Sequence, residues 1–203
     1  HEKVISKNNK KIEDFATWAN TSWANLHTYL NDTLQGKNLT LRYLRRDNHT
    51  VEAVGVWNTK TDHAEGLFRF YDANGKLSAI GNFAGETEKD GAWCYFYPNG
   101  VLKEKIIYKN SKAQGVSEYY QNDGTLAVTQ GWRDDERDGQ RKTYWAVGTL
   151  YSESTYKDGK VNGSYKSFYP QGQLDFQVEV VDEKTSGLGI SLFPDGKKES
   201  TAT

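Results

Sequence analysis

Glycine recurs along this chain at a nearly constant interval, and no other feature of the sequence constrains the fold as strongly. Six glycines open successive units of about 24 residues: Gly66, Gly91, Gly115, Gly139, Gly163 and Gly187. Nine residues after each of them stands a second glycine: Gly75, Gly100, Gly124, Gly148, Gly172 and Gly196. A fixed period of this length is typical of a repeat protein, in which each copy of a small unit packs on its neighbours.

Apolar residues follow the same frame, in which the first glycine of each unit counts as position 0. Position 11 is leucine in five units: Leu77, Leu102, Leu126, Leu150 and Leu174. Aromatic residues occupy position 5 in Tyr71, Phe96, Tyr120, Tyr144 and Phe168, and position 17 in Phe83, Tyr108, Trp132 and Tyr156. We expect positions 5, 11 and 17 to form one repeating apolar face. Positions 4 and 6 differ between units, so we expect them to carry partner specificity.

Each unit predicts a β-hairpin. In the second unit, the aromatic segment Trp93–Tyr97 is β-prone, and Pro98-Asn99-Gly100 is a turn signal because glycine tolerates a positive φ. Val101–Tyr108 then predicts the returning strand. Six such units predict about twelve strands. The expected fold class is mainly β: an elongated, twisted antiparallel sheet of stacked hairpins, with one N-terminal α-helix.

The N-terminal part of the chain has a different periodicity. Apolar residues recur every three or four positions between residues 11 and 35: Ile12, Phe15, Ala19, Trp23, Leu26, Leu30 and Leu34. This spacing predicts an amphipathic helix, which we expect to cap the first hairpins. A lipid-surface helix is the less favoured alternative, because the polar face is not strongly basic. The expected organisation is a helical cap at 1–38, a degenerate hairpin at 39–65 and six hairpins at 66–203.

Composition and motif spacing argue against several functional classes. The net charge of −1 does not favour nucleic-acid binding, and a single cysteine, Cys94, excludes an intramolecular disulfide framework. The four histidines lack metal-ligand spacing, and the glycines are turn glycines rather than a phosphate loop. We therefore expect no catalytic site, metal or cofactor, although paired carboxylates that meet in space leave a glycosidase-like site open.

Two further features bear on anionic ligands and on location. Arg42, Arg45 and Arg46 form a possible anion or lipid contact, although a solvated strand face is the favoured interpretation. The chain has no methionine, and it starts at His1 without an apolar leader or an apolar run long enough to span a membrane. We interpret this as a removed signal peptide or a trimmed chain. The expected location is the periplasm or envelope, with the cytoplasm as the alternative.

The motif of the repeat resembles a known family. The run Gly91-Ala-Trp-Cys-Tyr-Phe-Tyr-Pro-Asn-Gly100-Val-Leu102, followed by Tyr108 and Gly115, resembles the bacterial variant of the MORN repeat, and so does Gly163-Ser-Tyr-Lys-Ser-Phe-Tyr-Pro-Gln-Gly172-Gln-Leu174. The resemblance covers residues 66–196 well and 39–65 weakly. It implies a long, twisted sheet of antiparallel hairpins. Bacterial proteins of this kind include YwqK-type antitoxins, proteins similar to immunity proteins for secreted effectors, and envelope proteins, whereas eukaryotic relatives are linked to lipid binding and scaffolding.

These observations predict a non-catalytic protein that binds a cognate toxin or effector and neutralises it. Tyrosine and tryptophan dominate the binding energy of protein interfaces. The expected partner surface is Trp93, Tyr95, Tyr97, Tyr119, Trp145 and Tyr169. The alternative is an envelope scaffold or lipid-associated protein, and an enzyme is less favoured.

Overall fold

The computed structural model describes residues 38–48, 50–85 and 87–202, which form one long, open antiparallel sheet. Its strands are β1 (Leu39–Arg45), β2 (Val51–Asn58), β3 (His63–Tyr71), β4 (Leu77–Phe83), β5 (Lys89–Phe96), β6 (Leu102–Lys109), β7 (Lys112–Ala113), β8 (Gly115–Tyr120), β9 (Leu126–Arg133), β10 (Glu136–Tyr144), β11 (Leu150–Lys157), β12 (Lys160–Phe168), β13 (Leu174–Val181), β14 (Lys184–Leu192) and β15 (Lys198–Ala202). The strands lie in chain order, except that the two-residue β7 pairs with β6 beside the main path. The expected mainly β sheet is confirmed, and the helix predicted at 11–35 lies outside the described residues.

Every repeat hairpin closes with the same turn. In the β5–β6 hairpin, the Tyr97 N–H donates to Val101 O at 2.8 Å and the Gly100 N–H donates to Tyr97 O at 2.8 Å. Gly100 has a φ of 85°, a conformation that only glycine adopts without strain. The same two backbone bonds recur in the five other repeat hairpins. The glycine at position 9 is therefore required by the backbone of the turn.

A β-bulge follows each of these turns and decides which residues share a face. Tyr95 pairs with Glu104, but Phe96 pairs with Leu102, so one strand carries an extra residue. The shift falls between positions 4 and 5 in all six repeat hairpins. Position 17 pairs with the glycine at position 0, as Tyr108 does with Gly91. Because side chains alternate, position 17 lies with position 4, and position 5 lies on the other side. The expectation that positions 5, 11 and 17 share one face is therefore wrong.

The two faces have different chemistry. The aromatic face carries Phe68, Phe70, Phe83, Trp93, Tyr95, Tyr108, Tyr119, Trp132, Tyr156, Tyr165 and Phe176. The opposite face carries a row in register across the sheet: Val54, Arg69, Ile80, Cys94, Lys105, Glu118, Thr129, Lys142, Glu153 and Lys166. Charges in this row pair with each other, since Lys105 lies 3.5 Å from Glu118 and Lys166 lies 3.4 Å from Glu153. The aromatic face is therefore the candidate for a functional surface.

Glycine at position 15 allows large rings to lie flat on the aromatic face. A Cβ at Gly55 would stand 2.3 Å from the ring of Phe68, and one at Gly81 would stand 2.1 Å from the ring of Trp93. Both rings are only 2% exposed. In the next unit this glycine is replaced by Ile106, and β8, which pairs with β6, carries the small, buried Ser117 at position 2 where the earlier units carry a ring. A large side chain on one strand is thus accompanied by a small residue on its neighbour, which keeps the packing of the face dense.

Candidate binding surface

The six side chains expected to contact a partner lie on two separate surfaces. Trp93, Tyr95 and Tyr119 belong to the aromatic face, where strand pairing places them on the same side of the sheet. The other three occupy position 6, along the side of the sheet where the tight turns lie, which is called the edge below: Tyr97, Trp145 and Tyr169. The expected single surface is therefore divided into a face and an edge.

The three edge residues join each hairpin to the next one. The Tyr97 hydroxyl donates to Tyr120 O at 2.8 Å and the Tyr169 hydroxyl donates to Leu192 O at 2.9 Å. The Trp145 indole N–H makes the equivalent bond to Phe168 O at 3.2 Å. Each acceptor is at position 5 of the following unit. Because their polar groups satisfy backbone carbonyls, these residues fix the relation between hairpins, and only their ring surfaces remain for a partner.

Trp93 packs within the face and has almost no surface to offer a partner. Its ring lies 5.1 Å from Phe83 and 5.8 Å from Phe70, measured between centroids. Its indole N–H donates to Asn82 O at 3.0 Å. With 2% of its surface exposed, Trp93 acts as the floor on which more exposed aromatic residues stand.

Tyr95 and Tyr108 form a half-buried group with Lys89 above that floor. The Lys89 ammonium lies 4.4 Å from the ring centroid of Trp93, 4.9 Å from that of Tyr108 and 5.5 Å from that of Tyr95. It also donates to the Tyr95 hydroxyl at 2.8 Å. Burial raises the pKa of Tyr108 to about 12, helped by Tyr95 and opposed by the charge of Lys89. These rings therefore stay neutral and can bind cations over their faces.

Glu104 places a carboxylate between two tyrosines of this face. It pairs with Tyr95 on β5 and with Tyr119 on β8, so its side chain lies between theirs. The Glu104 carboxylate is 3.2 Å from the Lys103 ammonium, and the two side chains are 24% and 51% exposed. Burial raises the pKa of Tyr119, and the Trp132 and Ser117 side chains oppose that shift. The result is a surface of phenol rings with one accessible acidic group.

The aromatic face changes character at β10, where it carries two arginines. Arg141 pairs with Gln130 on β9 and with Ser154 on β11. The guanidinium of Arg137 lies 5.5 Å from the ring centroid of Tyr156. Lys89, Glu104, Arg137 and Arg141 were absent from the expected partner surface. Counting positions from the glycine would have found all four, but only with the bulge known.

Two arginines of the first hairpin are bound by groups of the chain itself. Arg42 bonds to Asp62 at 2.7 Å and lies 4.7 Å over the Trp57 ring. Arg46 donates to the backbone carbonyls of Val51 at 3.2 Å and of Tyr71. Arg45 is exposed. Arg42 and Arg46 are thus engaged by acceptors within the chain, and a joint anion site of the three arginines stays a prediction.

The described residues contain no cluster of three or more His, Cys, Asp or Glu side chains that could hold a metal ion. Cys94 is buried, and burial raises the pKa of its thiol to about 11, so it is a poor nucleophile in this setting. In the part of the chain that the structure describes, no helix has the length and apolar character needed to cross a membrane.

The repeat matches a known family model. The MORN repeat variant matches four segments of the chain: residues 64–84, 89–110, 137–158 and 161–182. These four matches support a MORN-repeat protein. The hairpin of β8 and β9 lies between matched segments, and its pairing of Gly115 with Trp132 has the register of its neighbours. The structural repeat is therefore more regular than the sequence motif.

Comparison with whole proteins gives little more. No curated protein matches the sequence. Among solved structures, the chain is similar to a point mutant of S. aureus TarM in complex with fondaparinux, α-GlcNAc-glycerol and UDP, with 14% identity and a TM-score of 0.35 over 79% of this chain. It is also similar to a second TarM structure, with 14% identity and a TM-score of 0.33 over 77% of this chain. This chain spans 26% of the length of either protein.

Proposed function

We propose that this chain is a non-catalytic repeat protein that binds another protein through the aromatic face of β5 to β12. We further propose that the partner is a bacterial toxin or secreted effector, which the chain neutralises by direct contact. The observation that carries the binding role is the half-buried group of Tyr95, Tyr108 and Tyr119, whose rings stand on a packed floor around Glu104. Rings that are held in this way lose little conformational entropy on binding.

The dimensions of this face suit a protein partner. From β5 to β12 the main path of the sheet takes six steps between neighbouring strands. At about 4.8 Å per step and about 26 Å per strand of eight residues, the face measures roughly 750 Å². A standard protein interface buries about 800 Å² on each partner. A broad, open surface rich in tyrosine and arginine therefore fits a folded protein better than a small molecule.

The toxin-neutralising role is supported by resemblance rather than by geometry. The second and fifth repeats carry the motif of bacterial MORN variants, and proteins with such repeats include YwqK-type antitoxins and proteins similar to effector-immunity proteins. A neutralising protein needs a large contact surface and no catalytic group, and the aromatic face supplies such a surface. Fold alone does not specify this role, so the decisive observation is biochemical.

Co-expression with the product of the neighbouring gene tests the proposal. We expect the two proteins to co-purify, and we expect Tyr95→Ala and Tyr119→Ala each to weaken the complex at least tenfold, as central tyrosines of interfaces do. Tyr144→Ala is the matched control, because Tyr144 is at position 5, on the opposite face. Loss of binding in the control but not in the two face variants would show that the face has been wrongly chosen. Failure of every co-encoded protein to bind would count against the neutralising role.

A further inference from the structure

Two arginines on the aromatic face have no counter-charge. Arg137 and Arg141 lie on the same side of β10, since they pair with Trp132 and Gln130 of β9. Within the described part of the chain, neither guanidinium forms an ion pair or a hydrogen bond. Two carboxylates adjoin Arg137 in sequence, Glu136 and Asp138, and Asp138 is engaged by Arg133 at 2.6 Å. The two positive charges are therefore uncompensated where they stand.

On the opposite face of the sheet, two lysines lie next to carboxylates. Lys105 lies close to Glu118, and Lys166 lies close to Glu153. Alternation of side chains places these pairs, and also Lys142, on the opposite face. From β8 to β12, the charged side chains that alternation assigns to the aromatic face are both arginines. From β8 to β12, the aromatic face of the described chain thus carries a net positive patch.

The surroundings of the arginines favour hydrogen-bond acceptors. Arg141 is half-buried over Ser154 and Gln130, so its charge is partly removed from water. A partly desolvated guanidinium gains from an incoming oxygen acceptor. An acidic group from outside would satisfy donors that the chain itself leaves open.

We infer that the proposed partner presents an acidic segment to this patch, with carboxylates that pair with Arg137 and Arg141. The inference rests on the proposed function and specifies the chemistry of the partner. Guanidinium and carboxylate groups match in a bidentate geometry, which is why arginine is common at buried contacts of interfaces. Carboxylates also match the charge, because two single positive charges balance two carboxylates, whereas two dianionic phosphates would leave an excess of negative charge.

An acidic peptide tests the inference without knowledge of the partner. We expect an octaglutamate peptide to bind the wild-type chain, with an affinity that falls as salt is added, and an octalysine peptide not to bind. Arg141→Gln should weaken octaglutamate binding about tenfold, as loss of one charge-assisted hydrogen bond does. Arg137→Gln should weaken it about threefold, because Arg137 is exposed and water screens its charge. Both variants are to be checked for unchanged circular dichroism.

Lys142→Gln is the matched control, because it removes the same charge from the adjacent residue on the opposite face. Its affinity for octaglutamate should stay within twofold of wild type. An equal loss in Lys142→Gln and Arg141→Gln would reduce the effect to overall charge and overturn the inference, as would tighter binding of octalysine. A co-encoded partner whose affinity is unchanged in both arginine variants would overturn the inference and leave the proposed function intact. If octaglutamate binding depends on the two arginines but no co-encoded protein binds, the preference of the patch for carboxylates stands and the proposed function fails.

Discussion

The indole ring of Trp93 lies flat on Gly81, so that a Cβ added to Gly81 would stand 2.1 Å from Trp93 Cδ2. The same relation joins Phe68 to Gly55 one unit earlier. Glycine in the interior of a strand normally weakens it, since it costs entropy and packs no side chain. Here that cost is offset because the absent side chain makes room for the largest ring of the face. The floor of the candidate binding surface therefore depends on two residues in different hairpin strands.

Gly81→Ala should destabilise the protein by about 2 kcal/mol, because the new methyl group overpacks a ring that cannot move away. Trp93→Ala should cost about 4 kcal/mol through the cavity that it leaves. In the double variant, the methyl group at residue 81 meets empty space, so its cost should largely disappear. Urea unfolding of the four proteins measures the coupling. Additive effects of the two substitutions would show that the ring and the glycine do not interact.

Tyr97→Phe should lower the free energy of unfolding by about 1 kcal/mol, because Tyr120 O loses a hydrogen bond between neighbouring hairpins. Tyr144→Phe is the control, since no hydrogen bond of the Tyr144 hydroxyl to a described residue is present. Hydrogen exchange of amides in β5 to β9 should report faster local opening in the Tyr97 variant alone. Equal stability of the two variants would mean that the edge bonds contribute nothing.

Alkaline pH should destabilise the protein partly through Cys94. Burial raises the pKa of this thiol from 9.0 to about 11, so the unfolded chain loses its proton first as the pH rises. The stabilisation is present below pH 9 and is lost between about pH 9 and 11, with a size on the order of 2 kcal/mol. Cys94→Ala should flatten this part of the pH dependence of the unfolding free energy. The thiol should also react with a thiol reagent at pH 8 only after denaturant is added.

Arg133→Gln should change stability by less than about 1 kcal/mol, although Arg133 contacts two carboxylates. Its guanidinium lies 2.6 Å from Asp138 and 2.7 Å from Asp158, yet the arginine side chain is 55% exposed. Water and salt screen such pairs, and ordering long side chains costs entropy. A thermal melt in low and high salt measures the effect. A loss of several kcal/mol would show that these connections hold the sheet together.

The number and order of the hairpins could be predicted from the glycine period, since a turn that needs a positive φ leaves a strong signal in sequence. The assignment of faces could not. Tyr95 and Phe96 are both aromatic, so neither composition nor alternation shows on which side of the sheet each ring lies. A bulge between them reverses the parity of everything counted across the turn. For this reason the expected partner surface combined edge residues such as Tyr97 with face residues such as Tyr95.

The partner surface expected from the sequence lacked two arginines for a related reason. Arg137 and Arg141 sit in a charged stretch of sequence that reads as a solvated strand. Whether a charge there is paired depends on which strands become neighbours and in which register, and Asp138 pairs with Arg133 although it adjoins Arg137. Position 4 was expected to carry partner specificity. Tyr95 and Tyr119 occupy this position and lie on the aromatic face, whereas a role in specificity stays a prediction.

The bulge between positions 4 and 5 has a consequence for how such a chain can change its length. Because it recurs once in every hairpin, each unit of about 24 residues returns the chain to the same orientation, about 10 Å further along the sheet. Duplication or loss of a whole unit therefore extends or shortens the aromatic face without turning any residue to the wrong side. Insertion of one residue within a strand instead moves the side chains that follow it to the opposite face of the sheet. An ancestral chain could thus have matched larger or smaller targets by recombination between equivalent glycines.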